Sequence, residues 1–526
     1  MLHNALVLAE TFLFLYFAFL TGAVLLPRLG LKDIRGVIYV TRSVLLGLGA
    51  LALAGFVLGI FGLFKSGLLW IVVAVFLALS LNRIRRHASF LSARGVSSLW
   101  EKIQSALKGD SFLKILVLIW LAANFTLNFV PITAHDTKDY HLPIIQDIVS
   151  KGKIDFTETI EHYRFSPVLA ETMYAIPAAL FGEKNAPFVF QSLQYMTLPL
   201  FLGLVYDFLR RRIKNSFLIP VALLAIMGIM DFQREVLHGG YVDTFAFVYG
   251  FAATLPFIDY ATAKRGSDFP ALAFSAVMLG ISLGMKYFGF FFGFLNFIFL
   301  AVAWRRFKLP ARHFSKMLLK FSLIVAVIGV FWYGKNFVYY HNPFYPMFSN
   351  DPAVEITKKG ISSYLIERNI QNFALFPFAL FGQRFVDENE SSSRLVALAY
   401  FALLYVFIFL KLIFRRKFSL NEILLFIFIE GYLAFHFALS HYIRYLLPPV
   451  IILPALLALL GDSLYNHFQT KLSNKRFRLF GYFTKIVCSA ALVFLFLGNF
   501  HYFKIRFFHI IGKYNQEEYI RKIGSQ

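Results

Sequence analysis

The chain has 526 residues, 58% of them hydrophobic and 15% charged, with a formal net charge of +23. Its mean hydropathy is +0.65, and that much apolar surface cannot be hidden in one soluble core, so the composition is that of a polytopic membrane protein. The basic excess does not point to nucleic acid: Lys and Arg cluster in short links between apolar runs, where they fix topology.

Lipid offers the backbone no hydrogen-bond partners, so the apolar runs are expected to be helices. The short alternating segments of a β-barrel are not seen. Spans are expected near 5–26, 37–63, 67–82, 112–131, 186–208, 216–230, 241–261, 270–285, 286–304, 318–337, 395–413, 420–439, 443–461 and 482–500. The expected fold is all-α, with about 12–14 transmembrane helices and short interfacial helices on the outer side. The run 5–26 lacks a basic leader and a small-residue cleavage site, so no cleavable signal is expected. The single Cys488, in an apolar run, leaves no disulfide or cysteine metal site within the chain. No internal repeat is found, which counts weakly against a transporter.

The basic links 27–36, 82–95, 210–215, 263–266, 304–316, 414–418 and 471–478 read as cytoplasmic. Alternation then puts 132–185, 231–243, 338–394 and the tail 501–526 outside. Two of these are long, aromatic and proline-containing loops, and such loops are usually functional.

In the first outer loop, Asp136 and Asp139 precede "LPIIQDIVSKG". That stretch predicts a short interfacial helix. Pro143 suits its first turn, Ile144, Ile145, Ile148 and Val149 share a face, Asp147 and Lys151 pair at i,i+4, and Gly152 suits the stop. The following "EHYRFSPVLAETMYAIPAALFG" is apolar but short and holds Pro167 and Pro177, which fits a re-entrant or interfacial element beside a cavity. In "DFQREVLHGGYVDTFAF", Asp231, Arg234, Glu235, His238 and Asp243 crowd the mouth of two helices. Asp243 enters an apolar span, where an acid is costly and its default reading is functional. Lys286 lies between two short spans; it either snorkels or sets a point charge against a phosphate. "HNPFYP", with Tyr345, is an aromatic turn at the membrane surface, and Arg444 opens a later span with a guanidinium able to fork onto a phosphate. No nucleotide-binding loop, zinc helix or nucleophile-elbow motif is present in context.

In order, these segments resemble the GT-C superfamily of integral-membrane glycosyltransferases, which includes the protein O-mannosyltransferases and the aminoarabinose transferase acting on lipid A. The likeness rests on D-x-x-x-Y-H-L-P (Asp136, Tyr140, His141, Leu142, Pro143), on "SPVLAETMYAIPAALFG", on Asp243 in "GGYVDTFAF", on "LGISLGMKYFG" with Lys286, and on "NPFYP" and "RYLLP". It divides the chain into extra N-terminal helices (1–111), a GT-C-like core (112–461) and a C-terminal helix with a basic tail (462–526).

The resemblance implies sugar transfer with inversion, from a polyprenyl-phosphate donor to a glycan, lipid or protein acceptor, on the outer face of a bacterial plasma membrane. It gives Asp136 the role of general base on the acceptor hydroxyl, or of positioning it. Lys286 and Arg444 meet the leaving phosphate. Arg234, His238 and Asp243 shape the donor pocket, with Asp139, Tyr140, His141 and Tyr345 as further substrate contacts. Many members carry an Asp-Glu pair in the first loop, whereas here Thr137 follows Asp136. A divalent metal ion is therefore left open as a cofactor, with no ligand set assigned. The rival readings are an O-antigen-type polymerase or ligase, and a non-enzymatic flippase or transporter of a lipid-linked glycan. A transporter would place its charges mid-membrane.

Overall fold

A computed structural model describes residues 2–32, 34–82, 84, 111–127, 129–134, 136–156, 166–182, 186–229, 232–233, 241–264, 269, 271–345, 369–375, 391–439, 446–471 and 473–524. Every regular element among them is helical, so the chain is an all-α polytopic membrane protein, as its composition requires. Among the described residues, six helices are long and apolar enough to cross a membrane: Leu6–Leu29, Val37–Ile60, Ala186–Arg210, Gly289–Phe307, Leu420–Ala438 and Leu447–Lys471. A seventh span arises if Ala311–Gly329 and Phe331–Tyr340, bent by 64°, are one broken crossing. Several other expected spans are shorter helices, among them Ser66–Leu79, Leu218–Met227 and Leu272–Met285.

The chain divides into two compact units. The first comprises Met1–Ser111, Pro131–Leu204 and Val236–Ser349; the second comprises Phe112–Val130, Val205–Glu235 and Asn350–Gln526. The N-terminal helices thus pack with the segment from Pro131 and with the helices that carry Asp243 and Lys286.

In the first unit, helix Leu2–Leu25 lies against Val37–Ile60 through small residues. A Cβ on Gly47 would sit 1.7 Å from the Ala18 carbonyl oxygen, and one on Gly22 would sit 1.8 Å from that of Ser43. The two backbones therefore touch, the packing that small residues allow where lipid gives no hydrophobic drive. Hydroxyls tie further helices together. Tyr249 donates to the Leu45 carbonyl at 2.7 Å, Ser282 to that of Ala246 at 2.7 Å and Tyr333 to that of Leu283 at 2.9 Å. Outward faces stay apolar, with Phe294, Leu319, Val327 and Val338 exposed as lipid contact demands.

The second unit is held by comparable ties. Tyr400 donates to the Ala225 carbonyl at 2.9 Å, and Asn124 donates to Gln233 Oε1 at 2.9 Å. Asp462 accepts the backbone N–H groups of Lys214 and Asn215 at 3.2 and 2.8 Å.

Candidate functional site

Residues 142–151 form the helix their pattern predicts. It spans Leu142–Lys151 with a proline in its first turn and buries Ile145 and Ile148. Gly152 caps it at φ 66°, a left-handed conformation that suits glycine, and its N–H bonds the Ile148 carbonyl. Asp147 and Lys151 pair at 2.7 Å. A π-helical turn, Thr137–His141, leads directly into the helix. Such turns carry one residue more than an α-turn and are frequent at functional sites. Asp136 begins this turn and is half-buried, Asp139 is exposed, and Tyr140 and His141 point inward and are buried.

The next segment forms the helix Leu169–Phe181, which runs through Pro177 and is buried along nearly its whole length. It packs on both Val37–Ile60 and Leu142–Lys151. Its first turn carries Glu171, and Glu171 Oε1 lies 2.6 Å from His141 Nδ1. His141 is 1% exposed and Glu171 3%. A carboxylate only accepts, so Nδ1 is the donor and, in a neutral ring, Nε2 is left as an acceptor. Among the described residues, His141 Nε2 and Glu171 Oε2 have no hydrogen-bond partner. Leaving a buried polar atom unpaired costs roughly 1–3 kcal/mol.

A cation–carboxylate pair stands beside the His141–Glu171 pair. Lys286 caps the helix Leu272–Met285 in an extended conformation, and its Nζ lies 3.4 Å from Asp243 Oδ1. Asp243 opens the buried helix Asp243–Thr262. Both acids, Glu171 and Asp243, thus occupy the first turn of a helix, where the positive end of the dipole favours a carboxylate. A hydrogen-bond chain joins these helices: the Tyr174 hydroxyl donates to Gln194 Oε1, and Gln194 Nε2 donates to Thr244 Oγ1. The start of the Asp243 helix is thereby fixed relative to Glu171.

Tyr140, His141, Ser166, Glu171, Val242 and Lys286 line one small, partly open cleft with a cavity volume of about 40 Å³. The aspartates of the loop, Asp136 and Asp139, are not among its described lining; Asp136 starts the turn that delivers Tyr140 and His141 to it.

The aromatic turn is fastened to the Lys286 corner. The Tyr287 hydroxyl donates to the Tyr345 carbonyl at 2.7 Å, and Asn336 Nδ2 donates to the Tyr287 oxygen at 3.0 Å. Burial pushes the Tyr287 phenol above the ordinary tyrosine value, and the bond from Asn336 offsets part of that. The Tyr345 ring stacks on Tyr340, with centroids 4.2 Å apart and planes within 9°.

Tyr140, His141 and Lys286, from segments about 145 residues apart, are therefore brought to one cleft, with Asp243 joined to it through Lys286. Arg234, His238 and Arg444 lie outside the described residues. Among the described residues, no group of three or more His, Cys, Asp or Glu side chains is placed to hold a metal ion. Sequence reasoning missed Glu171. The signal was available, since an acid alone in an apolar helix is the same cue that singled out Asp243. Compared with protein-family models, curated proteins and solved structures, the chain matches none.

Proposed function

We propose that this protein is a membrane glycosyltransferase of the GT-C type. It moves a sugar, with inversion, from a polyprenyl-phosphate donor to an acceptor hydroxyl on the extracytoplasmic face. One observation carries the reading. The segments singled out by the resemblance meet at one cleft, with Tyr140, His141 and Lys286 in its lining and Asp243 paired to Lys286.

The chemistry of the cleft suits the task. The Lys286 ammonium is about a fifth exposed, so it can turn from Asp243 toward a phosphate. As the glycosidic phosphate leaves, that charge grows, and a fixed cation beside it is a main source of rate. Asp136 acts on the acceptor hydroxyl, as base or by holding it. The aromatic turn anchored by Tyr287, with Tyr340 and Tyr345 stacked, offers a flat surface to sugar or isoprenoid.

The test is transfer by the purified protein in lipid nanodiscs, with a panel of polyprenyl-phosphate sugars and candidate acceptors. Product is expected with a lipid donor and not with a water-soluble nucleotide sugar. Asp136→Asn is expected to lower kcat by about 100-fold or more. Wild-type turnover in that variant removes Asp136 from the mechanism. Movement of labelled donor across a vesicle bilayer, with no glycoside formed, makes the protein a flippase instead.

A further inference from the structure

The two ring nitrogens of His141 have different fates. Nδ1 gives its hydrogen to Glu171 Oε1 at 2.6 Å. Nε2, the only other polar atom of the ring, is buried with no hydrogen-bond partner among the described residues. Other buried polar atoms, those of Asn296 among them, are likewise unfilled among the described residues, so the distinguishing feature of His141 is its place in the cleft. There the nearby polar groups are Tyr140, Ser166, Glu171 and Lys286. An imidazole whose tautomer is fixed by a carboxylate behind it, with the other nitrogen left open, is how a histidine becomes a general base.

We propose that His141 takes the proton of the acceptor hydroxyl and that Glu171 is the positioning residue that fixes its tautomer; this rests on the sugar-transfer reading above. The hydroxyl oxygen bonds to the anomeric carbon as its proton passes to Nε2. The bond from that carbon to the bridging phosphate oxygen breaks, and its electron pair leaves with the polyprenyl phosphate. The imidazolium that forms is balanced by the Glu171 carboxylate, and Lys286 meets the added phosphate charge. Asp136, one turn earlier, then holds the acceptor and does not receive its proton.

The experiment compares wild type, His141→Gln, His141→Ala and Glu171→Gln in the same nanodiscs with a polyprenyl-phosphate sugar, following kcat, donor KM and the pH profile. Elution as a single species checks folding. His141→Gln is expected to lose about 10²–10⁴-fold in kcat with donor KM unchanged. Added imidazole is expected to restore turnover to His141→Ala and not to Asp136→Asn. Glu171→Gln is expected to lower kcat and move the acid limb of the pH profile, which a merely structural partner does not do. Wild-type kcat in His141→Gln overturns the proposal while sugar transfer stands. A wild type that transfers from no polyprenyl donor overturns the function and the proposal together. Should neither histidine variant elute as the wild type does, Glu171→Gln decides, and an unmoved acid limb overturns the proposal.

Discussion

Two buried acid–base pairs, one in each unit, use similar residues to different ends. In the second unit, Lys411 Nζ lies 2.7 and 2.8 Å from the two oxygens of Glu422, and the two side chains are 0% and 3% exposed. Glu422 Oε2 also accepts the Ser419 N–H at 2.6 Å, while Ser419 Oγ accepts the Glu422 N–H at 3.3 Å. That is a capping box at the start of the helix Leu420–Leu439. Both oxygens of this carboxylate have partners. In the first unit, the His141–Glu171 pair is as deeply buried, yet His141 Nε2 and Glu171 Oε2 have none among the described residues. The first pair is complete, whereas the second keeps valences that no described side chain fills.

The largest stability effect expected from this contrast is at Lys411. Lys411→Met leaves Glu422 buried without its cation, and breaking such a pair costs about 3–5 kcal/mol. Unfolding in detergent is expected to show that loss, with transfer per folded molecule unchanged. The double change Lys411→Met with Glu422→Leu is expected to recover most of it, since an apolar pair of similar volume often replaces a buried ion pair at little cost. A single variant as stable as the wild type would erase the distinction between the two regions.

Next comes Lys286, where the loss is expected in turnover. Lys286→Met removes the cation offered to the phosphate, and comparable losses of a charge-stabilising group cost about 10²–10³ in kcat. Asp243, left behind, keeps the helix N-terminus as a counter-charge, so stability is expected to fall less than activity. Lys286→Arg keeps the charge and is expected to recover part of the rate. Equal turnover in all three proteins would remove Lys286 from the chemistry.

Much of the fold is legible in the sequence because lipid simplifies the problem. Composition alone dictates helices, and the helix at 142–151 is readable to its cap because proline, the isoleucine face, the i,i+4 pair and Gly152 all agree. The π-helical turn before it is not legible, since nothing in "DTKDYH" marks the extra residue. Span lengths are also harder to read. A window over 216–230 is apolar throughout, yet Asn215 to Phe217 form a turn and only Leu218–Met227 is helix. At the site, Asp243 and Lys286 are legible one at a time, as charges beside or within apolar runs. Their pairing across 43 residues is not, because partner choice is a property of packing. Glu171 is legible as an acid in an apolar helix, but its role is not, because that comes from His141, which lies 30 residues away.

The smallest effect is expected at a pair whose contact is as short as that of the buried Lys411–Glu422 pair. Asp147 and Lys151 meet at 2.7 Å, closer than the 3.4 Å between Lys286 and Asp243. Their side chains are 33–36% exposed, however, so water screens the pair and competes for each partner. Exposed i,i+4 pairs contribute about 0.3–0.5 kcal/mol. Asp147→Asn is therefore expected to shift unfolding by no more than about 0.5 kcal/mol and to leave turnover unchanged. The shift should shrink further in high salt, which leaves the Lys411–Glu422 pair untouched because no solvent reaches it. A loss at Asp147 approaching that at Lys411 would mean that proximity, and not burial with complete hydrogen bonding, ranks the ion pairs of this protein.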